Sequence, residues 1–84
     1  MFGFMHFVYL IRSLKTPKKT YIGYATDIIA RLKKHNAGGS VYTSNDRPWK
    51  LVICIAFDNE AKALKFEKYL KVGSGHAFAK RHFW

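Results

Sequence analysis

Residues 21–38 read Tyr21-Ile22-Gly23-Tyr24-Ala25-Thr26-Asp27-Ile28-Ile29-Ala30-Arg31-Leu32-Lys33-Lys34-His35-Asn36-Ala37-Gly38. Thr20 to Tyr24 forms a short strand, because aromatic and β-branched side chains suit a pleated surface. Thr26 or Asp27 then caps a helix, and an acidic cap also complements the positive end of the helix dipole. The helix runs to about Asn36, where Gly38 supplies a left-handed stop. At about 100° per residue, Ile28, Ile29 and Leu32 make its apolar stripe. Arg31 and His35, four residues apart, share one flank of that stripe, while Lys33 and Lys34 fall elsewhere. Each of the flanking pair has a plain structural use, Arg31 covering the core with its stem and His35 capping the helix end. Together they offer a forked phosphate contact beside a proton-transfer group.

Upstream, His6 to Arg12 is a strand, and Ser13 to Lys19 is a polar loop carrying Pro17 and three lysines. Two strands so joined make an antiparallel hairpin with a long basic tip. Downstream, Gly39 to Lys50 is irregular. Leu51 to Phe57 is a continuous apolar run, the pattern of a strand buried on both faces or nearly so. Asp58 or Asn59 caps a second helix to about Val72, Gly73-Ser74-Gly75 breaks it, and His76 to His82 forms a short final helix. The order is β-β-α-β-α-α, an α/β fold with a small three-stranded, mostly antiparallel sheet flanked by helices. One domain fills residues 1–84, with residues 1–5 as a lead-in and Met5 as an alternative start.

With 49% hydrophobic and 17% aromatic residues, the chain is not a disordered basic tail. Its core is small at 84 residues, so self-association or ligand support is expected. Fifteen Lys and Arg stand against five Asp and Glu, a formal charge of +10. That excess favours an anionic partner, of which nucleic acid is the commonest, bound in a salt-dependent way. A merely basic domain is the other reading of the charge. The single cysteine, Cys54, sits in the apolar run and reads as a buried, inert thiol in a reducing cytoplasm. The apolar stretch Met1 to Ile11 is too short to span a bilayer and lacks a signal-peptide pattern, so no membrane partner is expected. Gly73-Ser74-Gly75 lacks the Lys-Ser/Thr ending of a P-loop, and no small-molecule cofactor is implied.

The second helix carries an anomaly. Ala63, Leu64, Phe66 and Leu70 define its apolar face, yet Glu67 projects between Leu64 and Leu70. A carboxylate buried there without a partner costs roughly several kcal/mol. Either it pairs with Arg31 or a lysine, or it holds a metal such as magnesium, which commonly takes one or two protein oxygens. In the hairpin, Tyr9, Tyr21 and Tyr24 are by default packing residues. Tyr21 and Gly23 share one face of their strand, and a glycine there admits the close approach of another group.

These residues, taken in order, resemble the GIY-YIG nuclease family, in particular its small single-domain members. The series begins with Val8-Tyr9-Leu10, Tyr21-Ile22-Gly23 and Asp27 to Asn36. It continues through Tyr42-Thr43, Arg47-Pro48-Trp49-Lys50-Leu51-Val52, Glu67-Lys68-Tyr69-Leu70-Lys71 and Gly73-Ser74-Gly75. The resemblance implies an endonuclease that hydrolyses phosphodiesters, with DNA as substrate and repair or recombination as its setting. It makes Tyr21 the general base, Tyr9 its positioning partner and Arg31 the group that stabilises charge on the phosphate. His35 assists the nucleophile or the phosphate, and Glu67 binds a single Mg²⁺ or Mn²⁺. Substrate contacts are expected from Gly23, Lys33, Lys34, Arg47, Lys71, Lys80 and Arg81. Two departures stand out: Phe7-Val8-Tyr9 replaces the Gly-Ile-Tyr of the first motif, and no asparagine follows Asn59. Lys80 or Arg81 is the candidate for that late position. The alternatives on the same scaffold are a non-catalytic nucleic-acid-binding module or an accessory subunit docking through exposed Phe83 and Trp84; the expected company is a protein partner or a homo-oligomer.

Overall fold

The structure is a computed structural model that describes residues 4–84. Residues 1–3 of the expected lead-in lie outside the described residues. Strands β1 (His6–Ser13), β2 (Thr20–Ala25) and β3 (Trp49–Phe57) form one antiparallel sheet in the order β2-β1-β3. Helix α1 (Ile28–Asn36) follows the hairpin, and α2 (Glu60–Lys71) and α3 (Gly73–His82) follow β3. The element order and the antiparallel sheet are those read from the sequence. No described helix is long and apolar enough to cross a membrane.

The caps explain where the helices start. The Asp27 side chain accepts from the Ala30 amide and the Asn59 side chain from the Lys62 amide, each satisfying a donor that the first turn leaves free. Gly38 has φ +83°, the left-handed stop expected after α1.

The central strand is β1, whose middle is buried on both faces: Val8 and Leu10 on one, Tyr9 and Ile11 on the other. Val8 and Leu10 join Ala63 and Leu70 of α2 and Ala79 of α3 in the main apolar core. Tyr9 and Ile11 join Ala25 and Trp49, with Ile28 and Leu32 of α1 packed against them. The expectation that Leu51 to Phe57 is buried on both faces is corrected. β3 lies at the sheet edge, and most of it is half-buried or exposed. An apolar run alone cannot tell an edge strand from a central one, because that depends on how many neighbours the strand acquires. Cys54 is accordingly half-buried rather than sealed, and burial raises its thiol pKa.

Three further expectations are corrected. Ile29 is 68% exposed and Leu64 is exposed, so the apolar stripes of α1 and α2 are narrower than projected. The break between α2 and α3 is Val72, in extended conformation, and Gly73-Ser74-Gly75 forms the first turn of α3 instead of preceding it. Phe83 and Trp84 are half-buried against the main core; Arg12 lies 5.5 Å over the Trp84 ring and donates to its carbonyl at 3.0 Å. They are part of this chain's own packing and do not form an exposed docking pair.

Candidate active site

The site is built from the register of the hairpin. Tyr9 pairs directly across from Gly23, and Ile11 across from Tyr21, so all four side-chain positions face the α1 side of the sheet. The Tyr9 ring folds across the space that a side chain on residue 23 would fill. A Cβ there would collide with the Tyr9 hydroxyl and lie 2.8 Å from its Cε1. The glycine therefore admits a phenol of the same chain.

Helix α1 delivers the next two groups. His35 is the one residue of this helix that is fully buried, at 2% exposure. Its Nε2 lies 2.8 Å from the Tyr9 hydroxyl and its Nδ1 2.7 Å from the Thr43 hydroxyl. Both ring nitrogens are thus occupied inside the protein. Burial, then the charges of Arg31 and Lys34, push the imidazole pKa down and keep it neutral. Arg31 is half-buried and donates through Nη1 to the Tyr24 carbonyl at 3.2 Å, which fixes its guanidinium at the β2 strand.

The two phenols differ in environment. Tyr9 is 1% exposed, and desolvation pushes its pKa up to about 12 against the opposing pull of the Arg31 guanidinium. Tyr21 is half-buried, its ring centroid 6.3 Å from that of Tyr9 and 5.1 Å from that of His35. It lines a hollow of about 220 Å³ together with Thr20, Ile22, Lys71, His76 and Trp84. Tyr24 belongs elsewhere. It faces the opposite side of the sheet, where its hydroxyl meets His6 Nδ1 at 2.7 Å and donates to Glu60 at 3.3 Å.

Glu67 comes from α2. Its side chain is 20% exposed and its Oε2 takes an ion pair from Lys71 at 3.0 Å. Of the partners open at the sequence level, a lysine is the one in contact. The carboxylate is near enough to the Tyr9 phenol to disfavour its ionised form. Glu67 lines a groove of about 600 Å³ with Leu64, Lys65, Lys68 and Lys71. Lys71 borders both this groove and the Tyr21 hollow, so the two adjoin at its side chain.

Among the described residues, no group of three or more His, Cys, Asp and Glu is assembled for a metal. The available donor is one partly exposed carboxylate whose present partner is an exposed lysine. That suits a hard, mostly hydrated dication, which keeps several waters, and not a caged ion stripped of water.

The expected substrate contacts divide. Lys71 stands at the site. Lys33 and Lys34 are exposed on α1, and Arg47 is exposed with its Nε bonded to the Ser44 carbonyl at 2.8 Å. Lys80 and Arg81 border a separate hollow of about 500 Å³ with Tyr69, Phe78 and His82, which none of Tyr21, Arg31 or Glu67 lines. Sequence reasoning misses two residues. Thr43 is fully buried beneath His35, and only its place beside Tyr42 in an irregular segment marks it. His76 lines the Tyr21 hollow because α3 begins at Gly73, a boundary that the glycine pair conceals.

Among known protein families, the model described as the GIY-YIG catalytic domain matches residues 5–79. The structure-specific endonuclease subunit SLX1 of Candida dubliniensis is 38% identical over 82 residues, covering 89% of this chain and 27% of that protein. The chain therefore spans about a quarter of that relative's length. A UPF0213 protein of Staphylococcus aureus is 40% identical over 67 residues, 79% of each chain. The solution NMR structure of the UPF0213 protein BH0048 from Bacillus halodurans superposes with a TM-score of 0.55 at 29% identity, covering 94% of this chain and 86% of that one.

Proposed function

The chain belongs to the GIY-YIG family, and from that premise we propose that it is a divalent-metal-dependent endonuclease cutting phosphodiester bonds in DNA. The observation that carries this reading is the meeting of the Tyr21 hollow and the Glu67 groove at Lys71, with Arg31 and the Tyr9–His35 pair behind them. A phosphate seated there has a half-exposed phenol on one side and a free carboxylate edge on the other.

Tyr21 is the base in this reading. It is the phenol open to a water, whereas Tyr9 is buried and protonated well past neutral pH. In the step itself Tyr21 acts as its phenolate: it takes a proton from the water that attacks phosphorus, the bond to the leaving oxygen breaks, and solvent protonates the oxygen that leaves. Arg31, half-buried and held at β2 by the Tyr24 carbonyl, is the proposed group that stabilises the charge gained by the phosphate. His35, sealed from solvent, holds Tyr9 in place rather than touching substrate. Glu67 is the residue that would hold the metal. When bound, Mg²⁺ or Mn²⁺ supplies charge neutralisation on the phosphate and the leaving oxygen.

The net charge of +10 supports a polyanionic substrate, and Lys33, Lys34, Arg47 and Lys71 are the proposed backbone contacts. Relatives named as structure-specific endonuclease subunits make branched DNA the first substrate class to test. Repair or recombination is the proposed setting, and a protein partner is proposed because those relatives are named as subunits. We place the protein in the cytoplasm, where the free thiol of Cys54 stays reduced.

The test is cleavage of supercoiled, branched and single-stranded DNA with Mg²⁺, with Mn²⁺ and with a chelator. Nicking that needs the metal is expected. Tyr21→Phe and Glu67→Gln should each lower the rate by about 100-fold or more while DNA affinity stays within about threefold. Full activity in either variant overturns the assignment. Salt-dependent binding with no cutting of any substrate turns the reading to the non-catalytic module.

A further inference from the structure

We propose that an aromatic strip across the outer face of α2 and α3 binds an unpaired strand of nucleic acid, stacking its bases on Tyr69 and Phe78. This deepens the nuclease reading by naming what is held beside the cut, and its test is read without any cutting.

Helical spacing builds the strip. Phe66 and Tyr69 stand three apart on α2, and Phe78 and His82 four apart on α3, so each pair shares a helix face. Leu70 and Ala79 join the two helices in the main core beneath. The rings then follow one another, with centroids 6.0 Å apart from Phe66 to Tyr69, 6.4 Å from Tyr69 to Phe78 and 4.6 Å from Phe78 to His82. Phe57 of β3 extends the row, 5.6 Å from Phe66. The core does not account for two of these rings. Tyr69 is 41% exposed and Phe78 38%, and among the described residues neither belongs to the apolar cluster on either face of the sheet.

Cations frame the row. Lys62 and Lys65 line a hollow of about 350 Å³ with Phe57, Phe66 and Tyr69. Lys80 and Arg81 line the hollow of about 500 Å³ at the other end, and Tyr69 borders both. No described acidic residue lines either one. Of the acids on α2, Glu60 meets the Tyr24 hydroxyl and Glu67 pairs with Lys71. Lys65 also lines the Glu67 groove, so the strip adjoins the candidate active site at that side chain.

An exposed apolar patch with a polar rim marks a binding face, and here the cations select its occupant. A greasy protein surface would cover the rings but take water from the four cations without replacing it. An acidic peptide would answer the cations and leave the rings idle. A duplex presents phosphates alone, because its bases are already stacked inside. An unpaired strand brings both a phosphate at every nucleotide and a base with a free π face. A flap or a fork carries such a strand where its arms part. The strip holds that arm, and Lys65 leads it toward Glu67.

The test measures binding of the full chain in chelator to three labelled probes. They are a single strand of about 16 nucleotides, the same backbone without bases, and the duplex. The base-bearing strand should bind about tenfold more tightly than the abasic one. Equal affinity for those two overturns the proposal without any variant. Tyr69→Leu keeps an apolar side chain and removes the ring, and should abolish that preference with duplex binding held within about twofold. Tyr69→Trp should retain it. A folded Tyr69→Leu protein that keeps the preference, or weakens on all three probes alike, overturns the proposal. Arg81→Gln should lower the salt slope for the single strand by about 0.7, and an unchanged slope removes the strip from the binding face. Self-association that Tyr69→Leu abolishes, with no preference for bases, gives the strip to a second copy of this chain instead. Strand binding as expected but no cutting of any substrate sinks the nuclease reading alone. Cutting with equal binding of abasic and base-bearing strands sinks this proposal alone.

Discussion

The two faces of the sheet are built on different principles. The face toward α2 and α3 is filled by Val8, Leu10, Ala63, Leu70 and Ala79, an apolar contact with no buried polar side chain among the described residues. The face toward α1 buries Tyr9, His35 and Thr43 in a hydrogen-bonded line, with Ser13 and the Trp49 indole bonded nearby. Apolar burial is nondirectional, so the first face stabilises the fold and tolerates shape-conserving exchange. Hydrogen-bonded burial is directional and costly when incomplete, so the second face fixes where particular atoms point. One strand, β1, serves both by alternation.

The sharpest way to break the comparison is to injure each face separately. Leu70→Ala on the apolar side should cost about 2–5 kcal/mol in denaturant unfolding, enough to threaten a small fold, because the cavity cannot fully close. The same assay on Gly23→Ala should show a smaller loss, about 1–3 kcal/mol, as the Tyr9 ring is displaced by the new methyl. Cleavage should nonetheless fall about 100-fold in that variant, since a misplaced phenol disturbs the whole line. Normal cutting by the Gly23→Ala protein would show that Tyr9 need not stand over residue 23.

A gentler test titrates the polar face. His35 is held below its ordinary pKa of 6.5 in the folded protein, so below that value the unfolded chain binds a proton that the folded one resists. Stability is then level above about pH 6.5 and falls as the pH drops toward the depressed folded value. His35→Gln removes that titration and should flatten the acid side of the profile measured by urea unfolding. Equal slopes for both proteins would mean that the imidazole is not sealed.

Much of this division is legible in the sequence. Alternation places Tyr21 and Gly23 together, helical spacing places Arg31 beside His35, and Glu67 stands out as an acid on an apolar stripe. What escapes depends on partners that no local rule names. His35 reads as a group for substrate because the residue that occupies its second nitrogen, Thr43, sits in a segment without periodicity. β3 reads as central because its composition matches that of a central strand, whereas its neighbours do not. Phe83 and Trp84 read as free because nothing nearby in sequence covers them, yet Arg12, 72 residues away from Trp84, holds it.

The Asn36 amide donates to the Trp49 carbonyl at 3.1 Å and accepts from its amide at 2.6 Å, as a peptide group would in a ladder. The last residue of a helix is thereby stitched to the first of a strand, and the twelve-residue excursion between them becomes a closed loop with a fixed mouth. The azimuth of α1 is then set by backbone geometry at that seam more than by its sparse greasy surface. Side chains along the outer rim of the helix are free to drift without swinging the guanidinium or the imidazole out of aim.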